Sequence, residues 1–216
     1  MSGYDVVVIG AGLAGLRCAT RLAEAGRDVV VLEAEDAVGG RERTDVVDVF
    51  RLDRGFHVLN PAYPAVRRWV DAGALALRRF PVALSVRLDD GALRVDGLRR
   101  GPVVHTAIVS NTAPTYAPRG QHLVEAAVVL PTTATEADVR RQLAELWGTD
   151  TRPWRLLRRD DIAAALPAQD PPLHLRRPTR LGDGRYVAGD HRDSASIQGA
   201  LVSGQRAAEA VLHDLG

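Results

Sequence analysis

No lysine occurs among the 216 residues, so all 28 basic side chains are arginine, set against 27 acidic ones for a net charge of +1. No compact ammonium is therefore available for chemistry, and arginine does not replace one, because its charge is permanent and its donors lie fixed in a plane. Cys18 is the one cysteine, which excludes an intrachain disulfide, and within a helical stretch it reads as a small core residue. The six histidines form neither H-x-x-x-H nor H-E-x-x-H, so no metal is expected. No apolar run approaches membrane-spanning length, and the N-terminal run is broken by Gly10 without a basic leader or cleavage site. The expectation is a cytoplasmic protein with no integral membrane segment. The arginine pairs, such as Arg67-Arg68, Arg99-Arg100 and Arg176-Arg177, are scattered, which speaks against nucleic acid as a partner. With 46% hydrophobic residues, the length suits one large domain or two small ones.

What is present is concentrated at the start. The apolar run 4–9 predicts a buried strand, and Gly10-Ala11-Gly12-Leu13-Ala14-Gly15 follows it and opens a helix through Leu16, Leu22 and Ala25. This is a G-x-G-x-x-G fingerprint in the strand-to-helix context it requires. Gly10 allows the tight turn, Gly12 lets backbone N–H groups approach phosphate oxygens, and Gly15 lets the helix sit close on the strand. The helix N-terminus favours the negative charge of a diphosphate. Glu33 ends the next apolar run, 28–32, where a carboxylate accepts hydrogen bonds from a ribose 2′-OH and repels a 2′-phosphate. A dinucleotide other than NADP is expected, held by Gly10, Gly12, Gly15 and Glu33 with their neighbours Leu13, Ala14 and Ala34.

Gly39-Gly40-Arg41 adds a second glycine pair and a guanidinium whose planar fork suits diphosphate oxygens or a flavin edge. In isolation this triplet would read as a turn and a solvated arginine. Near the other end, Tyr186-Val187-Ala188 predicts a short buried strand delivering Gly189-Asp190, followed by an amphipathic helix from about Ser196 to Leu215. Its early turns carry Gly199, Ala200, Ser203 and Gly204, small enough for a flat ring or another backbone to approach; helix packing explains them equally.

These motifs, with Ser196-Ile197-Gln198-Gly199-Ala200-Leu201-Val202-Ser203-Gly204 and the stretch Leu52-Asp53-Arg54-Gly55-Phe56-His57-Val58-Leu59-Asn60-Pro61-Ala62-Tyr63-Pro64, resemble the FAD-dependent amine oxidase and phytoene desaturase superfamily. The resemblance implies an α/β fold: a Rossmann-like FAD-binding domain with a reduced, partly antiparallel β substrate-side portion. It implies non-covalent FAD, with Gly189 and Asp190 at its ribityl-diphosphate region. The helix that begins at Ser196, Ile197, Gln198 and Ala200 would point its N-terminus at the flavin pyrimidine. That positive end stabilises negative charge near N1 on reduction. Many amine oxidases of the superfamily use a lysine to hold a water near flavin N5, and nothing here can fill that role.

Along the chain, short strands are expected over 44–49 and 51–53, a brief helix over 65–72, and a hairpin over 83–95 around Asp89-Asp90-Gly91. Strands follow over 106–110 and 123–130, then a helix capped by Thr135 with Val139, Leu143 and Leu146 on its apolar face. A proline-rich connection covers 162–184. Residues before Gly101-Pro102-Val103 resemble the superfamily's front and those after His105 its last third, so the middle is absent; a natural compact form, an engineered excision and a degenerate copy all remain open. The expected division is 1–100, the front of the FAD-binding domain; 104–160, the substrate-side portion; and 161–216, the segment completing the first domain.

The leading expectation is an enzyme that moves a hydride equivalent from a small amine or unsaturated hydrocarbon to flavin N5. Substrate-side candidates are His57 and Tyr63, each of which reads equally as a packed or surface aromatic in a loop. The alternative is a flavin-binding module without turnover, and a homo-oligomer that closes the site is compatible with either. A plain NAD dehydrogenase ranks last, because it leaves Gly39-Gly40-Arg41 and the Gly189-Asp190 helix without a task.

Overall fold

The computed structural model describes residues 3–55, 58–79, 93–129 and 131–216. In chain order the elements are β1 (Val6–Ile9), α1 (Leu13–Glu24), β2 (Val29–Leu32), β3 (Thr44–Val47), β4 (Phe50–Asp53), α2 (Pro64–Trp69), β5 (Arg94–Val95), β6 (Val103–Ile108), α3 (Val109–Thr112), β7 (Val124–Val128), α4 (Glu136–Trp147), β8 (Arg180–Gly182), β9 (Arg185–Tyr186) and α5 (Ile197–Leu215). They form two compact units: Met1–Arg43, His57–Ala76 and Ala164–Gly216 make the first, Thr44–Phe56 and Leu77–Ala163 the second.

In the first unit β1 and β2 pair in parallel, from Val6↔Val29 to Ile9↔Leu32. Because side chains alternate across a strand, Val6, Val8, Val29 and Val31 face a core of Cys18 and Leu22 from α1 and Ala207, Ala208 and Val211 from α5. Val7, Ile9 and Leu32 remain exposed. The two helices meet backbone to backbone: a Cβ at Gly204 would fall 2.2 Å from the Ala14 carbonyl oxygen. A Cβ at Gly15 would fall 2.0 Å from the Gly10 carbonyl oxygen, so the third glycine of the fingerprint admits the helix against the strand end. Buried Arg17 donates from Nε to Gln205 Oε1 (2.8 Å), pairs with Glu24 (3.0 Å) and lies 5.0 Å from the Trp69 ring centre. A second cluster, Ala65, Val66 and Leu201 with Leu13, Tyr63, Trp69 and Ile197 around it, holds α2 to α5.

One expected strand is corrected here. Tyr186-Val187-Ala188, expected as a short buried strand, is a strand only as far as Tyr186 and is half-buried; β9 ends there and pairs antiparallel with β8. Asp183 and Gly184 between them have φ of 51° and 67°, the doubly positive pair that an Asp-Gly hairpin turn needs. Tyr186 and Ala188 still pack on the core, and the Val187 N–H donates to the Thr179 carbonyl at 2.8 Å.

In the second unit β3 and β4 form a hairpin, and β5, β6 and β7 an antiparallel sheet in that order. Helix α4 lays Leu143 and Trp147, flanked by Val139 and Leu146, on Val103. Thr135 caps it in a capping box with Asp138, each side chain bonding the other's backbone N–H (3.3 and 2.9 Å). Buried Gln142 accepts from the Val103 N–H (2.7 Å) and donates to the Val103 carbonyl (3.0 Å) and to Asp96 Oδ2 (2.8 Å), joining helix to sheet. The strand expected to reach Ser110 ends at Ile108, since the chain turns into α3 and the Ser110 hydroxyl accepts from the Leu123 N–H at 2.9 Å. Of the hairpin expected over 83–95, only Arg94–Val95 falls within the described residues beyond Leu93, paired with β6.

Candidate dinucleotide-binding site

β1 delivers Gly10 with φ of +95°, a conformation that suits glycine, and the Gly10 N–H is tied to the Leu32 carbonyl at 2.7 Å. Gly12 is the N-cap of α1, and no side chain bonds the first-turn N–H groups. The contrast with α4 and α5, capped by Thr135 and Ser196, is chemical: the first four N–H groups of a helix have no intrahelical partner and attract an anion. No acidic residue lies in the first turn of α1.

The two glycine motifs converge. Gly12 and Gly39 form an isolated parallel bridge, with the Gly39 N–H donating to the Ala11 carbonyl at 2.9 Å. A Cβ at Gly40 would approach Gly12 Cα to 3.4 Å, while one at Gly12 or Gly10 would meet nothing within 4 Å. The loop is therefore open at Gly10 and Gly12, and with the uncapped first-turn N–H groups of α1 beside them the residues present fit a diphosphate.

Glu33, half-buried at the end of β2, accepts from three backbone N–H groups: Ala11 at 2.6 Å, Ala34 at 2.9 Å and Glu35 at 3.0 Å. These bonds, Ala11 first, hold its carboxyl below the ordinary carboxylate value despite partial desolvation. The carboxylate thus braces the glycine loop as well as ending the strand, a bond that sequence reading missed.

Arg41 and Asp190, from opposite ends of the chain, meet: Nη2 donates to Oδ2 at 2.8 Å, and Nη1 donates to the Ala165 carbonyl. Asp190 begins a 3-10 turn, Asp190–Arg192, entered through Gly189 with φ of +154°. A Cβ at Gly189 would fall 2.5 Å from the exposed His191 ring, so a side chain there would displace that ring as well as strain the backbone. Burial, then the cations of Arg192, Arg177 and Arg41, against the Asp190 charge, push the His191 pKa down and favour its neutral form. The Gly189 N–H donates to the buried Ser203 hydroxyl at 2.9 Å.

At the start of α5 the Ser196 hydroxyl accepts from the Gly199 N–H (3.2 Å) and lies 2.9 Å from the Ser194 hydroxyl. Gln198 Oε1 accepts from the Ala65 N–H at 2.9 Å, fastening α2, and the Ala200 N–H donates to the Ser196 carbonyl at 2.9 Å. Ile197 packs in the same cluster as Tyr63, whose ring is half-buried and accounted for by packing. Gly199 and Gly204 are likewise accounted for by backbone, Ser194 and Ala14 respectively. His57 lies outside the described residues.

The second unit carries charged chemistry that sequence reading did not single out. Burial, followed by the charges of Asp53 and Asp160, raises Glu125 on β7 to about 7. Tyr116 donates to both Asp53 oxygens (3.0 and 3.2 Å), and burial and that carboxylate raise its pKa. Asp45 pairs with Arg54 and Arg158, both at 2.8 Å. Among the described residues no cluster of three His, Cys, Asp or Glu could hold a metal ion, and no helix is long and apolar enough to cross a membrane.

Residues 8–72 match an NAD(P)-binding Rossmann-like domain, and residues 83–212 match the flavin containing amine oxidoreductase family. The second match covers more than half of the chain, and the chain belongs to that family. Curated relatives include carotenoid 3,4-desaturase of Haloarcula japonica, 49% identical over 26% of this chain and 11% of that protein. Putrescine oxidase of Kocuria rosea is 48% identical over 39% of this chain and 18% of its own length. Phytoene dehydrogenase of Streptomyces griseus is 43% identical over 40% of this chain and 18% of its own. This chain therefore spans 11% to 18% of the length of these relatives. Among solved structures, putrescine oxidase bound to putrescine aligns at 27% identity over 66% of this chain and 26% of that one, with a TM-score of 0.33.

Proposed function

We propose that the chain binds FAD non-covalently and serves as an oxidoreductase acting on a small amine or an unsaturated hydrocarbon. The observation that carries this reading is the meeting of four distant pieces in one unit: the Gly12–Gly39 bridge, the Glu33 brace, Arg41 and the Gly189-Asp190 corner. The first-turn N–H groups of α1, around Leu13, Ala14 and Gly15, would take diphosphate oxygens, with Gly10, Gly12, Gly39 and Gly40 leaving room for them. Glu33, beside Ala34, keeps lone pairs for ribose hydroxyls while bracing the loop. Arg41 would add charge-assisted bonds to the diphosphate. Asp190, Ser196, Ile197, Gln198 and Ala200 would line the ribityl and flavin end, where the α5 N-terminus favours negative charge. When bound, FAD supplies the acceptor for a hydride equivalent, and its electrons pass on to oxygen or another acceptor.

The names of the relatives, a putrescine oxidase, a carotenoid 3,4-desaturase and a phytoene dehydrogenase, support amines and polyenes as the substrate classes to try. Absorption spectroscopy of the purified protein, before and after acid precipitation, tests the cofactor: released flavin is expected, and a colourless protein that takes up no added FAD overturns the reading. Anaerobic reduction of the bound flavin by a panel of amines and polyenes then tests turnover. The second reading, a flavin-binding module without turnover, is favoured by the lysine-free sequence and the short span relative to the relatives. Bound flavin that no substrate class reduces would establish it.

A further inference from the structure

We propose that Ser203 is a positioning residue for the cofactor: its buried hydroxyl fixes the Gly189 backbone and thereby holds Asp190 at Arg41. This rests on the FAD reading above and assigns a role to a residue that never faces the open side of the loop. Ser203 is fully buried within α5 and uses its hydroxyl in both senses, donating to the Ala200 carbonyl (2.9 Å) and accepting from the Gly189 N–H (2.9 Å). A serine inside a helix ordinarily bonds back to its own preceding turn and gains little from it. Here the remaining lone pair reaches a segment 14 positions earlier.

The target of that bond is the hinge of the corner. Gly189 has φ of +154° and carries no side chain, so its neighbours cannot fix it by packing on a Cβ. Its backbone is held instead at both polar groups, the N–H by Ser203 and the carbonyl by the Arg192 N–H at 3.0 Å. The next residue, Asp190, has a side chain only 12% exposed and pairs with Arg41 at 2.8 Å. A rotation at Gly189 would carry the carboxylate away from the guanidinium, and Arg41 would lose the partner that aims it.

Ser203→Ala keeps α5 helical and removes only the hydroxyl. Amide hydrogen exchange of the FAD-free full chain should show faster exchange over residues 187–192 and unchanged protection over 207–215. FAD titration should show binding weaker by roughly tenfold, the usual weight of one buried hydrogen bond. In an Asp190→Asn background the same change should weaken binding by less than about twofold, because the two residues act in series. Unchanged exchange over 187–192, or a full tenfold loss that persists in the Asp190→Asn background, overturns the role of Ser203 alone. A wild-type chain that takes up no FAD overturns the cofactor reading and this role with it.

Discussion

Arg41 Nη2 and Asp190 Oδ2 are 2.8 Å apart although 149 positions separate the two residues. The guanidinium is 42% exposed, so the pair contributes under about 1 kcal/mol to folding. Its weight falls on binding. Arg41→Ala and Asp190→Asn should each weaken FAD binding by roughly tenfold or more, while the urea midpoint barely moves. The double variant should lose less than the sum, because removing either partner already releases the other. Fluorescence titration with FAD reads all three.

Glu33→Gln exchanges a carboxylate that accepts three backbone N–H groups for an amide with one acceptor oxygen. Both FAD affinity and protection of the glycine loop, followed by hydrogen exchange over residues 10–16, should fall. Because the Glu33 pKa is lowered in the folded chain, its contribution is complete above the ordinary value of 4.5 and disappears as pH drops through the lowered one. Loop protection in the wild type should therefore hold above 4.5 and decline as pH drops through the lowered value, and the Gln variant should lack this step.

Gly204→Val should be more damaging than a change of helix propensity alone, since Gly204 is buried and even the Cβ would sit 2.2 Å from the Ala14 carbonyl oxygen. Both sides of the contact are helix backbone and neither can yield without moving α1 from α5. A loss of about 1–3 kcal/mol or more is expected from urea unfolding.

Glu125→Gln should stabilise the chain in mildly alkaline solution. The folded carboxyl titrates at about 7, raised by burial and then by Asp53 and Asp160, against an ordinary 4.5. A raised folded value means that the wild type loses stability as pH climbs from the lower figure through the higher one, by on the order of 3 kcal/mol. Melting curves at pH 5 and pH 8 check this: the variant should gain over the wild type at pH 8 and show little pH dependence across the interval.

The strand, glycine turn and helix at the front were legible because their demands are backbone demands, and glycine spacing between a strand and a helix writes them directly. Glu33 was assigned to ribose, but its bond to the Ala11 N–H depends on how the loop curls back, which no local pattern encodes. The approach of Arg41 to Asp190 was reachable only through family resemblance, since a contact across 149 positions leaves no periodic signal. Tyr186-Val187-Ala188 was expected as a buried strand, yet the strand ends at Tyr186 and the run is half-buried, because the Asp183-Gly184 turn beside it makes it the return arm of a short hairpin. Glu125 was missed altogether, being one carboxylate in an apolar strand whose environment comes from β4 and the segment around Asp160.

Helix α5 supplies the core residues Ala207, Ala208 and Val211, the Gln198 bond to α2, the Ser203 bond to Gly189 and the glycine that seats α1. All of these reach back to residues made earlier, some by nearly the whole length of the chain. On the ribosome, β1, α1 and β2 therefore emerge with their apolar faces uncovered and wait until α5 has been synthesised through Val211 and has cleared the exit tunnel. Contacts of such long sequence separation fold slowly and leave sticky surface exposed meanwhile. Recovery of native protein should accordingly depend on chaperone supply and growth temperature during expression more than on the stability of the finished fold.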